Sequence, residues 1–142
     1  FAFDISFNPN NSLLEEMINS GSLKDISNPR LRILLTNWIS FMEDVSKQEI
    51  MLDTERDKII DMFRSDMNSI KTIYDLTGVS SELGLPESSE QTSNRNLLLS
   101  KEFENNMLMF ILTSIKTETT HYNPLMQSID EILKTIDTEI KE

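Results

Sequence analysis

Glu118 and His121 form the pattern in this sequence that comes closest to known metal chemistry. A Glu-x-x-His pair on an α-helix places both side chains on one face, and two such pairs build a di-iron carboxylate site. The chain contains one histidine, so the second pair cannot be completed. We therefore predict no metal here, and we keep Glu118, His121 and the adjacent Tyr122 as candidate contacts for a ligand or a partner.

A second acidic pattern, made by Asp53, Glu55 and Asp57, resembles the start of a calcium-binding loop. Such a loop needs glycine at its sixth position and a carboxylate at its twelfth. This sequence has Lys58 and Arg64 there. We expect these carboxylates to lie on a solvated helix face.

The remaining chemistry-bearing residues predict no catalytic site. Adjacent carboxylates such as Asp130 and Glu131 diverge by about 100° on a helix, so they do not converge on one substrate atom. The chain has no cysteine, and it lacks the Gly-x-Ser-x-Gly, phosphate-loop and dinucleotide-binding motifs. We expect no catalytic residue and no cofactor, and hence a protein that is not an enzyme.

The acidic composition narrows the range of partners. The 24 Asp and Glu residues outnumber the 13 Lys and Arg residues, and the formal net charge at pH 7 is −11. A nucleic-acid backbone or an anionic lipid surface would be repelled at long range, so we expect no nucleic-acid partner. The longest apolar run, Met107 to Leu112, is far shorter than the roughly 20 residues that span a bilayer.

The stretch 30–77 contains neither glycine nor proline, and this is the strongest structural signal in the sequence. Its apolar residues recur at alternating spacings of four and three, which is the stripe of an amphipathic helix. Asn28 is suited to cap such a helix, and Pro29 is suited to its first position. The sequence predicts a long helix over 29–76.

The middle of this predicted helix is polar. Glu49 and Arg56 occupy positions of the apolar stripe, within a stretch, 46–58, that is dominated by polar residues. We therefore expect this stretch to be bent, more exposed or locally re-registered.

The second half of the chain predicts a reversal followed by another long helix. Residues 77–96 are rich in serine and contain two of the three glycines, so they predict a loop. An apolar stripe returns over 97–141 and predicts a helix. Pro124 leaves the carbonyl of Thr120 without its helical partner, so we expect a kink there.

Residues 1–28 predict a lead-in and one short helix. Apolar and polar residues alternate within 1–10, which favours an extended, half-buried segment. Ser12 followed by Glu15 matches a capping box, and Gly21 suits the C-cap of a short helix.

These elements predict one all-α domain over 1–142. Its architecture would be an elongated antiparallel hairpin of two long helices, similar to a helical bundle, with the short N-terminal helix at one end. A straight helix over 29–76 would extend roughly 70 Å, several times the radius of gyration of a compact domain of this size, about 14 to 15 Å. Two helices cannot bury both faces of their stripes, so we expect self-association as a homodimer or another protein partner.

Three segments of the sequence carry a family resemblance. They are the stretch GSLKDISNPRLR from Gly21 to Arg32 that leads to Trp38, the preceding Phe7-Asn8-Pro9, and LLLSKEF from Leu97 to Phe103. Together with the charged, isoleucine-rich C-terminal region, they resemble a bacterial domain family of unknown function. Its members are small membrane-anchored envelope proteins, in which one N-terminal transmembrane helix precedes a helical extracytoplasmic domain.

The resemblance implies a location rather than an activity. It implies an extracytoplasmic domain on the periplasmic side of the inner membrane, with an anchor outside these 142 residues, and it assigns no catalytic residue. We expect a ligand- or partner-binding domain, sensory in type, in which Trp38, Glu118, His121 and Tyr122 are the candidate contacts. The alternative is a structural or oligomerisation module of an envelope protein.

Overall fold

The computed structural model describes residues 6–141, and these residues form helices and no β-strand. The all-α fold predicted from the sequence is confirmed. No described helix is both long enough and apolar enough to cross a membrane. The α-helices are α1 (Ser12–Ser20), α2 (Pro29–Phe63), α3 (Ile70–Thr77), α4 (Val79–Glu82), α5 (Arg95–Leu98), α6 (Lys101–Thr117) and α7 (Asn123–Lys141).

The chain divides into two compact units. The first unit comprises Phe1–Leu52 with Ser114–Glu142, and the second comprises Asp53–Thr113. The single domain predicted over 1–142 stays a prediction. Both boundaries fall inside helices, α2 and α6, and the boundary in α2 lies within the polar stretch 46–58.

In the first unit α2 and α7 run antiparallel. The side-chain amide of Asn28, just before α2, donates to Oε1 of Glu139 near the end of α7 at 2.6 Å. Tyr122, just before α7, donates its hydroxyl to Oε1 of Glu49, well along α2, at 2.6 Å. The buried apolar side chains of this unit include Leu31, Leu34, Val45, Leu52 and Leu125.

The second unit also contains an antiparallel helix pair. The rings of Phe63 in α2 and Phe103 in α6 meet edge to face, with their centroids 5.9 Å apart. One turn further along α6, Asn106 Nδ2 donates to Met62 Sδ at 3.3 Å. The antiparallel orientation predicted for the two long helices is therefore present within each unit.

Helix α2 runs through the polar stretch 46–58 without a break. The two polar residues on its stripe have partners. Glu49 accepts two hydrogen bonds in the first unit, and Arg56 forms an ion pair with Asp53 in the second, with Nη1 3.0 Å from Oδ1. Polar side chains with partners are tolerated on a buried helix face, and the expected re-registration does not occur.

Helix α2 ends at Phe63, well before the end predicted for 29–76. Asn68 Nδ2 donates to the carbonyl of Met62 at 3.1 Å, and Ser69 Oγ caps α3 by accepting a backbone N–H at 3.2 Å. Asparagine and serine side chains compete with the helical backbone in this way. A helix can therefore stop here without glycine or proline.

The loop predicted for 77–96 contains α4 and the start of α5, and the second long helix begins at Lys101 rather than at residue 97. Two hydrogen bonds of Ser100 account for this later start of the helix. Its N–H donates to the carbonyl of Leu97 at 2.9 Å, which closes a turn. Its Oγ accepts the N–H of Phe103 at 3.1 Å, which caps α6.

The kink predicted near Pro124 takes the form of a π-helical turn over Glu118–Tyr122, which joins α6 to α7. The N–H of Asn123 donates to the carbonyl of Glu118, five residues earlier. Proline supplies no N–H to the ladder, and the wider turn accommodates it without ending the helical path.

The N-terminal elements follow the prediction in part. Helix α1 ends at Gly21, whose φ of 73° is the left-handed conformation expected of a C-cap, and Asn28 caps α2. The capping box is wrong, because the helix starts at Ser12 itself and the Ser12 hydroxyl donates to Asn10 Oδ1 at 2.6 Å. The other apolar residues of the predicted lead-in, Phe1, Phe3 and Ile5, lie outside the described residues.

A buried carboxylate organises the turns of the second unit. The Asp75 side chain is 2% exposed and forms an ion pair with Lys71. It also accepts the Ser80 hydroxyl at 2.5 Å and the Ser88 N–H at 3.1 Å. The Lys71 ammonium and the Ser80 hydroxyl hold the pKa of Asp75 well below its usual range, so the carboxylate stabilises the fold in its charged form.

We predict that Asp75 makes the stability of this protein fall in acid. Its contribution is present above the unfolded-state pKa of about 4 and is lost as the pH falls from there toward the lower folded-state value. The difference in free energy of unfolding between wild type and Asp75→Asn should therefore be largest near pH 7 and shrink below about pH 4. Denaturant titrations across pH measure this difference.

The matched control is Asp66→Asn, because Asp66 is exposed and has no ion pair among the described residues. It should change stability little at any pH. A constant difference between wild type and Asp75→Asn from pH 7 to pH 3 would contradict the role of Asp75.

Candidate binding groove

Trp38 and Glu49 lie on the same face of α2, because eleven residues correspond to about three helical turns. Both hold the segment that precedes α1. Trp38 Nε1 donates to Asn11 Oδ1 at 2.9 Å, and the N–H of Phe7 donates to Glu49 Oε1 at 2.8 Å. The segment 6–11 is thereby tied to α2 at two points.

Glu49 is the central polar residue of this region. Glu49 is 5% exposed. Its Oε1 atom accepts hydrogen bonds from both the Phe7 N–H and the Tyr122 hydroxyl. A buried carboxylate is costly unless hydrogen bonds replace its hydration. Glu49 therefore links three elements: the segment 6–11, α2 and the π turn.

The segment 6–11 runs antiparallel to α2. Phe7 meets Glu49 and Asn11 meets Trp38, so the segment advances by four residues while α2 goes back by eleven, about 16 Å along the helix axis. The side chains of Glu49 and Trp38 reach out from α2 to make both contacts. The backbone of Asn11, the last residue of the segment, is not extended, with φ of −94° and ψ of 3°.

Two clefts adjoin this segment and share the side chain of Ile129 on α7. We call the two clefts together the α2/α7 groove; both are lined by α7 and the segment 6–11, and the second is also lined by α2. The first cleft, of about 330 Å³, is lined by Ser6, Phe7, Tyr122, Leu125, Met126 and Ile129. The second, of about 240 Å³, is lined by Pro9, Asn10, Asn11, Leu35, Trp38, Ile129, Ile132 and Leu133. Mainly apolar walls with a few placed polar groups are typical of binding sites.

The structure brings two of the four predicted contact residues to this groove. Trp38 and Tyr122 line its two clefts. Glu118 is exposed and His121 is half-buried, and neither lines these clefts. The Glu-x-x-His geometry assumed an α-helix, whereas both residues lie in the π turn, where the rotation per residue differs. Within 6–141 no group of three or more His, Asp and Glu side chains is placed to hold a metal.

Sequence reasoning missed Glu49 and Asn11. Glu49 did leave a signal, since a carboxylate on the apolar stripe of a helix must find donors elsewhere in the fold. We interpreted it as an interruption of the stripe. Asn11 left no such signal, because its partner, Trp38, is 27 residues away along the chain.

One further cluster, in the second unit, has the composition of a nucleophilic site. Ser80 Oγ lies 3.0 Å from Lys71 Nζ, and serine–lysine pairs occur in hydrolases. A nucleophile needs access to substrate and a base able to take its proton. Ser80 is 1% exposed, and the Lys71 ammonium is already engaged in an ion pair with Asp75. The cluster is structural.

Comparison with known proteins finds no matching family model, no matching curated protein and no matching solved structure for this chain. The function must therefore be argued from the groove itself, from the exposed surfaces of each unit and from the chemistry of their residues.

We predict that Tyr122→Phe destabilises the protein by about 1.5 to 3 kcal/mol, the usual range for a hydrogen bond to a charged group. The change removes the hydroxyl that donates to Glu49 and leaves the ring in place. Chemical denaturation followed by circular dichroism measures the loss.

The control is Tyr74→Phe, since Tyr74 is the other tyrosine of the chain, is half-buried and has no hydroxyl partner among the described residues. It should cost less than about 0.5 kcal/mol. Equal losses in the two variants would show that the contact with Glu49 contributes nothing specific.

Proposed function

We propose that this protein is a non-enzymatic helical domain that binds a ligand or a protein partner in the α2/α7 groove. The observation that carries the proposal is the placement of Trp38 and Tyr122 at two adjoining apolar clefts. Aromatic side chains with a polar atom are enriched at binding surfaces, because they bury a large apolar area and still orient a partner.

The proposed setting is extracytoplasmic, on the periplasmic side of an inner membrane, with an anchor outside these 142 residues. The support for this part is the resemblance of the segments around Asn28 and Leu97 to membrane-anchored envelope proteins. A sensory role fits a groove built on α2, since a bound partner that shifts a long helix slightly along its axis passes that shift to both ends.

We predict that the groove binds its ligand through Met126, which is 55% exposed and lines the larger cleft. A thermal-shift screen against amphipathic metabolites and short peptides should yield compounds that raise the unfolding midpoint, because binding to the folded form alone stabilises it. Met126→Glu should abolish the shift by placing a charge in the apolar cleft.

Met51→Glu is the matched control. Met51 is 54% exposed, belongs to the same unit and lines neither cleft, so this variant should keep the full shift. Loss of the shift in both variants, or no shift with any compound, would count against ligand binding in the groove.

A second candidate function, self-association as a structural module, is favoured by one face of α6. Leu108, Ile111 and Leu112 follow the spacing of a helix stripe and are 50%, 44% and 60% exposed. Contiguous exposed apolar side chains of this kind mark interaction surfaces. A second copy of the chain would cover this face.

If this face forms a dimer, Leu112→Glu should return the protein to monomers in sedimentation equilibrium, whereas Leu76→Glu should not. Leu76 is also strongly exposed but lies on α3. Added salt should strengthen the dimer, because each copy carries a net charge of −11 and salt screens their repulsion. A wild-type protein that stays monomeric at millimolar concentration and high salt would exclude this function.

A further inference from the structure

The N-terminal part of the first unit is attached only at its periphery. From residue 6 to residue 30 no side chain is buried, and the first buried one is Leu31. Helix α1 contains no buried residue, and its Leu13 is 71% exposed. Segments with few buried apolar contacts open at a lower free-energy cost than the core to which they are attached.

Within this part, the segment 6–11 covers the α2/α7 groove, and we call it the strap. Among the described residues, two hydrogen bonds tie the strap to α2, one from Phe7 to Glu49 and one from Trp38 to Asn11. The Phe7 side chain is 39% exposed although it borders the larger cleft. The clefts beside the strap show that it fills the groove incompletely.

We propose that the strap is an intramolecular occupant of a peptide-binding groove, and that the partner is an extended peptide segment that replaces it. This inference rests on the proposed function and names the class of its partner. An incoming segment would donate a main-chain N–H to Glu49, accept the Trp38 N–H on a carbonyl oxygen, and place apolar side chains in the two clefts.

The spacing of the two anchor points selects a peptide over a small molecule. The backbone positions of Glu49 and Trp38 are about 16 Å apart along the axis of α2, and Phe7 and Asn11, four residues apart in the strap, meet the side chains of these two residues. An extended main chain offers hydrogen-bonding groups at regular intervals over that distance. The apolar clefts between and beside these points would hold alternate side chains.

The first experiment measures strap opening in the full chain, without any added ligand. Trp38 is the single tryptophan, so quenching of its fluorescence by acrylamide reports on the groove alone. Asn11→Ala removes the acceptor of the Trp38 N–H and should raise the open population roughly two- to tenfold, the range for one lost hydrogen bond. Asn8→Ala, in the same segment but without a hydrogen bond to α2 among the described residues, should leave quenching unchanged.

Hydrogen exchange of the Phe7 amide gives an independent measurement, because that amide is the donor to Glu49. In the wild type it should exchange faster than the amide of Val45 in the core of α2, and in Asn11→Ala it should become faster still while Val45 is unaffected. A Phe7 amide as protected as Val45 in both proteins would overturn the strap. A Val45 amide that loses protection in Asn11→Ala would also overturn it, because the segment would then be part of the core.

The second experiment adds a labelled peptide, N-acetylated SFNPNN, which is the sequence of the strap itself. Fluorescence anisotropy should show tighter binding to Asn11→Ala than to wild type, by the same factor as the increase in opening. Strap opening without peptide binding would overturn the peptide as the partner. A strap that stays closed while a compound from the thermal-shift screen binds would overturn this inference and leave the proposed function standing.

Discussion

The first unit depends on one buried carboxylate. Glu49 lies on the apolar stripe of α2, and its burial is tolerated only because a backbone N–H from the N-terminal strap and the Tyr122 hydroxyl from the π turn both reach it. Removing water from a charge is costly, so the elements that supply these donors are held in place by the charge they satisfy. Three separate parts of the chain therefore meet at this atom.

In the second unit, Asp75 is likewise a carboxylate whose side chain is held by several donors. There the partners are closer along the chain, since Lys71 and Ser80 lie four and five positions from Asp75 and Ser88 lies 13 positions from it. A carboxylate with local partners shapes a turn, whereas a carboxylate with distant partners brings together elements that are far apart in sequence. This difference is one reason why we propose the groove, rather than the Asp75 cluster, as the binding site.

Helix content was predictable from the sequence because it depends on local periodicity and on the absence of glycine and proline. Helix ends were less predictable. Glycine and proline are the usual signals for a helix end. In this chain, Asn68, Ser69 and Ser100 also end or start helices, through side-chain hydrogen bonds to the backbone. Asn28 and Gly21 acted as expected, because a cap of that kind is formed by the residue and its immediate neighbours.

Residue type and short-range spacing were enough to predict an acidic, all-α chain with long amphipathic helices and a disturbance before Pro124. They also made Trp38 and Tyr122 candidate contact residues, and that role stays a prediction. The tertiary structure was needed to show that these two aromatic residues line adjoining clefts and that Glu118 and His121 lie outside them. Their meeting depends on which distant donors satisfy Glu49, and a pairing between residues 42 or 73 positions apart leaves no periodic trace in the sequence.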